Sequence, residues 1–134
     1  MATQVQTKTR TYRDLDLNFN AHPVTGDVTM RIGDAAVVNS LKNLILTGFY
    51  ERPFHSEIGS GVRQMLFENA DPLTAQSLRK AILEVAKNFE PRVEMKDVVV
   101  QITPDQNSFQ VIMEFYILNN AEPTIIDFFL ERVR

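Results

Sequence analysis

The chain has 134 residues, of which 44% are apolar and 23% charged, with a net charge of −3, the balance of one soluble globular domain. That charge provides no general basic surface for nucleic acid. The absence of cysteine excludes disulfides and thiolate metal sites, and no apolar run approaches the roughly 20 residues that cross a bilayer.

Residues 1–11 are polar and threonine-rich. They lack the apolar core of a signal peptide and read as a flexible arm preceding a single domain over 12–134, assembled in a cytoplasm. Leu15, Leu17 and Phe19 alternate with Asp14, Asp16 and Asn18, the pattern of a strand with one buried face. Pro23 to Asp27 is turn chemistry, and Val28, Met30 and Ile32 resume the period of two, so 14–32 is expected to form a small hairpin.

Asp34 is suited to cap a first helix over about 35–47. Its apolar stripe is Val37, Val38, Leu41, Leu44 and Ile45, and Gly48 ends it. Pro53 keeps Arg52-Pro53-Phe54 out of any helix interior. A short second helix is expected at about 61–69. Asp71-Pro72 then starts a third cleanly, running to Phe89 with Leu78, Ala81, Ile82, Val85, Ala86 and Phe89 on one face. Lys80 and Glu84 have the spacing of a surface pair.

After Pro91 the period changes. Val98, Val99, Val100 and Ile102 read as a strand, Pro104 to Asn107 as a turn, and Phe109, Val111, Met113, Phe115 and Ile117 as a second strand. Ile125 to Val133 reads as a last extended segment, with a short helix as the other option. The class is α+β: about three helices over 35–90 packed on an antiparallel sheet made largely of 93–133, with an N-terminal hairpin.

Catalytic patterns are absent. Glu57 and Glu68 flank a glycine-containing loop, but with 17 acidic residues in the chain such a pair arises readily by chance, and nothing in the spacing shapes a cleft. There is no Gly-x-Ser-x-Gly elbow. His22 and His55 stand alone in loops without metal-ligand spacing, and Gly59-Ser60-Gly61 lacks the lysine of a phosphate loop. No catalytic residue, cofactor or metal is assigned.

Two features remain. Glu90, forced out of the helix by Pro91, places a negative charge at the negative end of a helix, which costs on the order of 0.3–1 kcal/mol unless a cation compensates. Arg92, two residues on, is the nearest cation. The pair is an internal brace for the helix-to-strand turn, a docking point for a charged partner, or both. The second feature is the C-terminal segment. Ile125, Ile126, Phe128, Phe129 and Leu130 make both of its faces apolar. It is either buried between sheet and helices or available to pair with another subunit.

Several blocks in order carry a family resemblance. Arg52-Pro53-Phe54, Glu57-Ile58-Gly59, Leu66-Phe67-Glu68-Asn69, Pro72-Leu73-Thr74-Ala75 and Asn88-Phe89-Glu90-Pro91-Arg92-Val93 resemble the baseplate wedge, or sheath-initiator, protein of contractile-tailed phages. That family has counterparts in type VI secretion and extracellular injection systems and is sometimes labelled lysozyme-like. The resemblance covers most of 12–134. It implies a structural part of the virion tail baseplate with no enzymatic activity. Its partners would be wedge core-bundle proteins, tail tube or hub proteins and the tail sheath protein, with no nucleic acid, membrane or small-molecule substrate. The interface residues it implies are Arg52, Pro53, Phe54, Glu90, Pro91 and Arg92 toward the baseplate, and Ile125, Ile126, Phe128, Phe129 and Leu130 toward the sheath. Length and the Leu-Phe-Glu-Asn block favour a phage over a secretion system. The competing readings are a peptidoglycan hydrolase of a phage tail, the equivalent baseplate subunit of a type VI secretion or extracellular injection system, and a stand-alone binding module.

Overall fold

A computed structural model describes residues 11–118 and 120–132. The arm expected at 1–11, Thr11 excepted, and Val133 of the last expected segment lie outside the described residues. The chain divides into two compact units, Met1–Asn39 and Ser40–Arg134.

In the first unit, β1 (Arg13–Leu15) and β2 (Met30–Ile32) pair antiparallel, Arg13 opposite Ile32 and Leu15 opposite Met30. The turn between them closes where expected: Gly26, at a φ of 71°, donates its N–H to the His22 carbonyl at 2.8 Å. The expected buried face is not seen. Leu15, Leu17, Phe19, Met30 and Ile32 are all exposed, and Asp16 is the buried residue. The reason is local. The Asp16 carboxylate accepts from the Asn18 N–H and the Thr29 hydroxyl, both at 3.3 Å, and lies 3.4 Å from Arg31. These bonds turn the chain out of β1 before the alternation can continue. The Asn18 N–H, together with Arg31 and Thr29, outweighs burial and holds the Asp16 carboxyl below the usual range.

Helix α1 (Asp34–Leu46) starts in the first unit and ends in the second. It begins at Asp34, one residue earlier than expected. Gly33, at a φ of 67°, supplies the carbonyl that Ala36 N–H reaches at 3.1 Å, and Asp34 takes a first-turn position that also favours an anion.

The second unit holds α2 (Val62–Met65), α3 (Pro72–Phe89) and a three-stranded antiparallel sheet of order β3 (Val93–Thr103), β4 (Ser108–Ile117) and β5 (Pro123–Glu131). Helix α2 is a single turn rather than the nine residues expected. Beyond it, Phe67 and Glu68 bond to Gln64 and Met65, three residues back, so the chain tightens into turns before Asp71. The cap of α3 is as read: Asp71 accepts the Thr74 N–H at 2.7 Å and Pro72 fills the first position. That bond holds the Asp71 carboxyl below its ordinary value.

The central strand β4 buries Phe109, Val111, Met113, Phe115 and Ile117 on one face, the five residues whose alternation identified it. Helix α3 lies against β3 and α2 against α3, with Leu78, Ile82, Val85 and Ala86 buried. Strand β3 starts at Val93, five residues before the apolar run that signalled it. A register break between Met95 and Asp97 puts Val93 and Met95 on the same face as Val98 despite an odd spacing. Such a bulge inserts one residue and so breaks the period of two. Lys96, at the break, reaches Glu114 across the ladder at 2.7 Å.

Candidate functional site

Three places in the second unit hold the residues singled out from sequence: the corner after α3, the outer strand β5, and the loop between α1 and α2.

At the corner the helix ends with the Glu90 N–H still bonded to the Ala86 carbonyl at 3.1 Å, and the Val93 N–H returns to the Glu90 carbonyl at 3.3 Å. The chain therefore reverses across Pro91 and Arg92. The Glu90 side chain points inward and the residue is 3% exposed. Arg92 Nε donates to Oε1 at 2.6 Å and Nη2 to Oε2 at 2.9 Å, and the Ser40 hydroxyl donates to Oε2 at 2.8 Å. Burial alone would raise the Glu90 pKa. The Arg92 and Ser40 hydrogen bonds outweigh it and hold the carboxyl below the usual glutamate range. The charge that looked misplaced at a helix C-terminus is thus compensated within the fold. Ser40 is a partner the sequence reading missed, because fifty positions separate it from Glu90. Pro91 is exposed and the Arg92 side chain is 28% exposed, so what the corner offers outward is the proline and part of the guanidinium.

Strand β5 sorts the five apolar C-terminal residues by face. Leu130 is buried and Ile126 and Phe128 are half-buried, whereas Ile125 and Phe129 are exposed. Lys42 Nζ stands 5.8 Å from the centre of the Phe128 ring, within cation–π range. The strand pairs with β4 from Pro123 opposite Tyr116 to Glu131 opposite Ser108 without a register shift. Its other edge has no partner among the described residues. Arg132, just past its end, donates from Nε to the Glu68 carbonyl at 2.7 Å and reaches the Asn107 and Asn69 side chains. The Leu66-Phe67-Glu68-Asn69 block thereby anchors the C-terminal strand.

The loop between α1 and α2 is closed at its neck. The Ser60 N–H donates to the Thr47 carbonyl at 2.8 Å, and the Ser60 hydroxyl donates to the Ile45 carbonyl. A Cβ on Gly59 would come within 2.6 Å of the Gly48 carbonyl oxygen, so only glycine allows this approach. Glu51 accepts from the Gly48 N–H and from Arg63 Nη1, both at 2.6 Å, and the Tyr50 N–H donates to the Ser56 carbonyl at 3.0 Å. Tyr50 and Phe54 have φ of 65° and 67°, each costing about 1–3 kcal/mol for a bulky residue. Both rings are exposed, Tyr50 at 86% and Phe54 completely, and Arg52 and Pro53 are exposed with them. Grooves of about 380 and 250 Å³ flank Phe49 at the base of the loop.

Of the carboxylates of the hydrolase reading, Glu57 lacks the environment of a general acid. Glu57 is exposed, and bonds from its own N–H and from His55, at 3.3 Å, hold its carboxyl below the usual range. A general acid needs the opposite shift. Glu68 contributes its backbone carbonyl to the Arg132 contact. His22 accepts the Val24 and Thr25 N–H groups in the hairpin turn at 3.2 and 3.3 Å. Among the described residues no group of three or more His, Cys, Asp or Glu side chains is placed to hold a metal, and no helix is long and apolar enough to cross a membrane.

Comparison with known proteins gives a consistent result. A family model described as baseplate wedge protein gp25 matches residues 32–121. The baseplate wedge protein gp25 of Enterobacteria phage T4 is 33% identical over 98 residues, covering 72% of this chain and 73% of its own. A chain of the anti-feeding prophage baseplate superposes with a TM-score of 0.71 at 26% identity, covering 84% of this chain and 90% of its own. At the level of fold alone, a chain of the postcontracted pyocin R2 baseplate matches with a TM-score of 0.58 at 17% identity, over 73% of this chain and 96% of its own. A Geobacter sulfurreducens protein described as a candidate tail lysozyme gives 0.67 at 15% identity, over 73% and 89%.

Proposed function

The chain belongs to the baseplate wedge protein gp25 family, and from that premise we propose that it is a non-enzymatic connector that joins the wedge and tube of a contractile tail to the first ring of sheath. It is a structural component of a tail baseplate and associates there with other baseplate proteins. The finer assignment is that the wedge core bundle and tube or hub proteins lie on one side of it and the sheath protein on the other, after assembly in the host cytoplasm.

The observation that carries the sheath assignment is the outer edge of β5. Nine residues long, in regular register and unpaired among the described residues, it carries few of the devices that normally protect an edge: no lysine, a leading proline, and one mid-strand charge, Asp127. The opposite edge strand, β3, is interrupted by its bulge at Lys96. A long, regular and lightly protected edge is a template for a strand supplied by another chain. Ile125 and Phe129, exposed on the face away from the core, add apolar area beside that edge.

The test is the pair Ile125→Lys and Phe129→Lys in one chain, carried in assembled tails. Both side chains are exposed, so the fold should persist. Baseplates with tubes but without sheath in electron micrographs are the expected result, and full-length sheaths would overturn the assignment. The hydrolase reading is checked separately by a zymogram against peptidoglycan. Clearing that vanishes in Glu57→Gln or Glu68→Gln would replace the structural reading.

A further inference from the structure

The loop tip between Tyr50 and Ser56 is organised for something that neither the corner nor the outer strand explains. Its neck is tied by the Ser60–Thr47 hydrogen bond and by the glycine-only approach of Gly59 to Gly48. The tip is closed by the Tyr50–Ser56 bond. Two aromatic residues are held there in left-handed backbone geometry, yet their exposed rings contribute no core packing. Strain that supports no packing is a feature of sites that meet a ligand or partner.

The charges at the tip specify the kind of partner. Glu51 is paired with Arg63 at 2.6 Å, and Glu57 is hydrogen-bonded to His55 at 3.3 Å. Arg52 is exposed, and no ion pair is formed with it among the described residues. The tip therefore presents aromatic surface beside an arginine that forms no ion pair among the described residues, and aromatic and arginine side chains dominate binding energy at protein interfaces. The geometry points to this tip as a preformed plug: Phe54, with Tyr50 beside it, enters an apolar pocket on a neighbouring baseplate protein, and Arg52 meets a carboxylate on the rim of that pocket. This rests on the reading of the chain as a baseplate part. A lipid surface fits less well, because anionic headgroups recruit clusters of cations and here one arginine sits between two glutamates. A two-fold contact centred on Arg52 would bring Arg52 against Arg52. Because the loop is already ordered, little conformational freedom is lost on docking.

The test places the photoreactive residue p-benzoylphenylalanine at position 54, and in a control at Lys87 on the exposed side of α3, in chains incorporated into purified baseplates. Irradiation should join position 54 to a different baseplate protein, in a peptide that contains Asp or Glu, with at least tenfold more product than position 87 gives. Phe54→Asn, which tolerates the left-handed backbone, and Arg52→Glu should each compete at least tenfold less well than the unmodified chain for incorporation. Their melting temperatures should be unchanged or raised. Replacing the cross-linked carboxylate by lysine should restore Arg52→Glu. Cross-links to a second copy or to lipid, or no excess over position 87, would overturn the plug. So would normal incorporation of Phe54→Asn, or melting that falls in step with incorporation. If the unmodified chain is itself absent from purified baseplates, the baseplate reading fails and the plug with it. If the chain is present and position 54 is silent, only the plug fails.

Discussion

Arg92 grips Glu90 from the far side of Pro91, one guanidinium nitrogen on each carboxylate oxygen at 2.6 and 2.9 Å. The pair closes the reversal that carries the chain from α3 into β3, and Ser40 completes it from α1. A single buried carboxylate thus ties together two helices and the first strand of the sheet.

Removing one partner strands the other in a poorly solvated place. Glu90→Ala and Arg92→Ala should each lower unfolding free energy by about 3 kcal/mol, and Ser40→Ala by about 1 kcal/mol. Arg92→Lys should recover only part of the loss, because an ammonium cannot make the two parallel bonds. Urea unfolding followed by circular dichroism measures all four. If the two alanine variants unfolded like the parent, the corner would not be a brace.

The same pair sets a pH dependence. The Glu90 carboxyl titrates below its unfolded value, so the folded state favours the ionised form. Its contribution is fully present above the unfolded glutamate value of about 4.3 and is lost as pH falls through the lower folded value. The gap in melting temperature between the parent and Glu90→Gln should be widest near neutrality and narrow below about pH 4. A gap independent of pH would place the effect in packing.

The two glycines around Ser60 should respond oppositely to alanine. At Gly59 the added Cβ meets backbone at 2.6 Å, and overpacking of this kind costs about 1–3 kcal/mol. At Gly61 it would meet only the end of the Met65 side chain at 3.7 Å, an ordinary contact, and the φ of −83° suits any residue. Thermal melts of Gly59→Ala and Gly61→Ala should separate clearly, with only the first destabilised.

Arg132→Ala should loosen the end of β5. Its bonds to Glu68, Asn69 and Asn107 tie down the described chain just after the strand. Faster amide exchange over 128–131, with α3 unchanged, is the expected pattern. Uniformly faster exchange would mean that the residue supports the whole unit.

Much of this was legible in the sequence where local rules act alone. Asp71-Pro72 announced the start of α3, and the alternation from Phe109 to Ile117 announced β4, because capping and periodicity need only near neighbours. The same logic failed at Leu15, Leu17 and Phe19, where Asp16 gathers hydrogen bonds and overrides the alternation. It also missed the first half of β3, whose polar residues are recruited by pairing with β4 and by a bulge that hides their period. Glu90 and Arg92 were readable as a pair from helix electrostatics, but their direction was not. Inward or outward depended on Ser40, and only the fold brings Ser40 near. At the tip the resemblance singled out Arg52, Pro53 and Phe54, but the strained backbone at Tyr50 and Phe54 was not legible, since left-handed geometry at an aromatic residue has no sequence mark.

The Arg132 clamp also bears on how the molecule takes a pull. A strand laid along the edge of β5 that is unpaired among the described residues would drag it lengthwise. Resistance would then come from the whole ladder to β4, from Pro123 to Glu131, acting in shear. With its far end fastened to Glu68 and Asn69, β5 cannot begin to peel from that end one hydrogen bond at a time. In the proposed role as a connector to the sheath, shear serves such a joint better than peeling, and one arginine just past β5 provides that geometry.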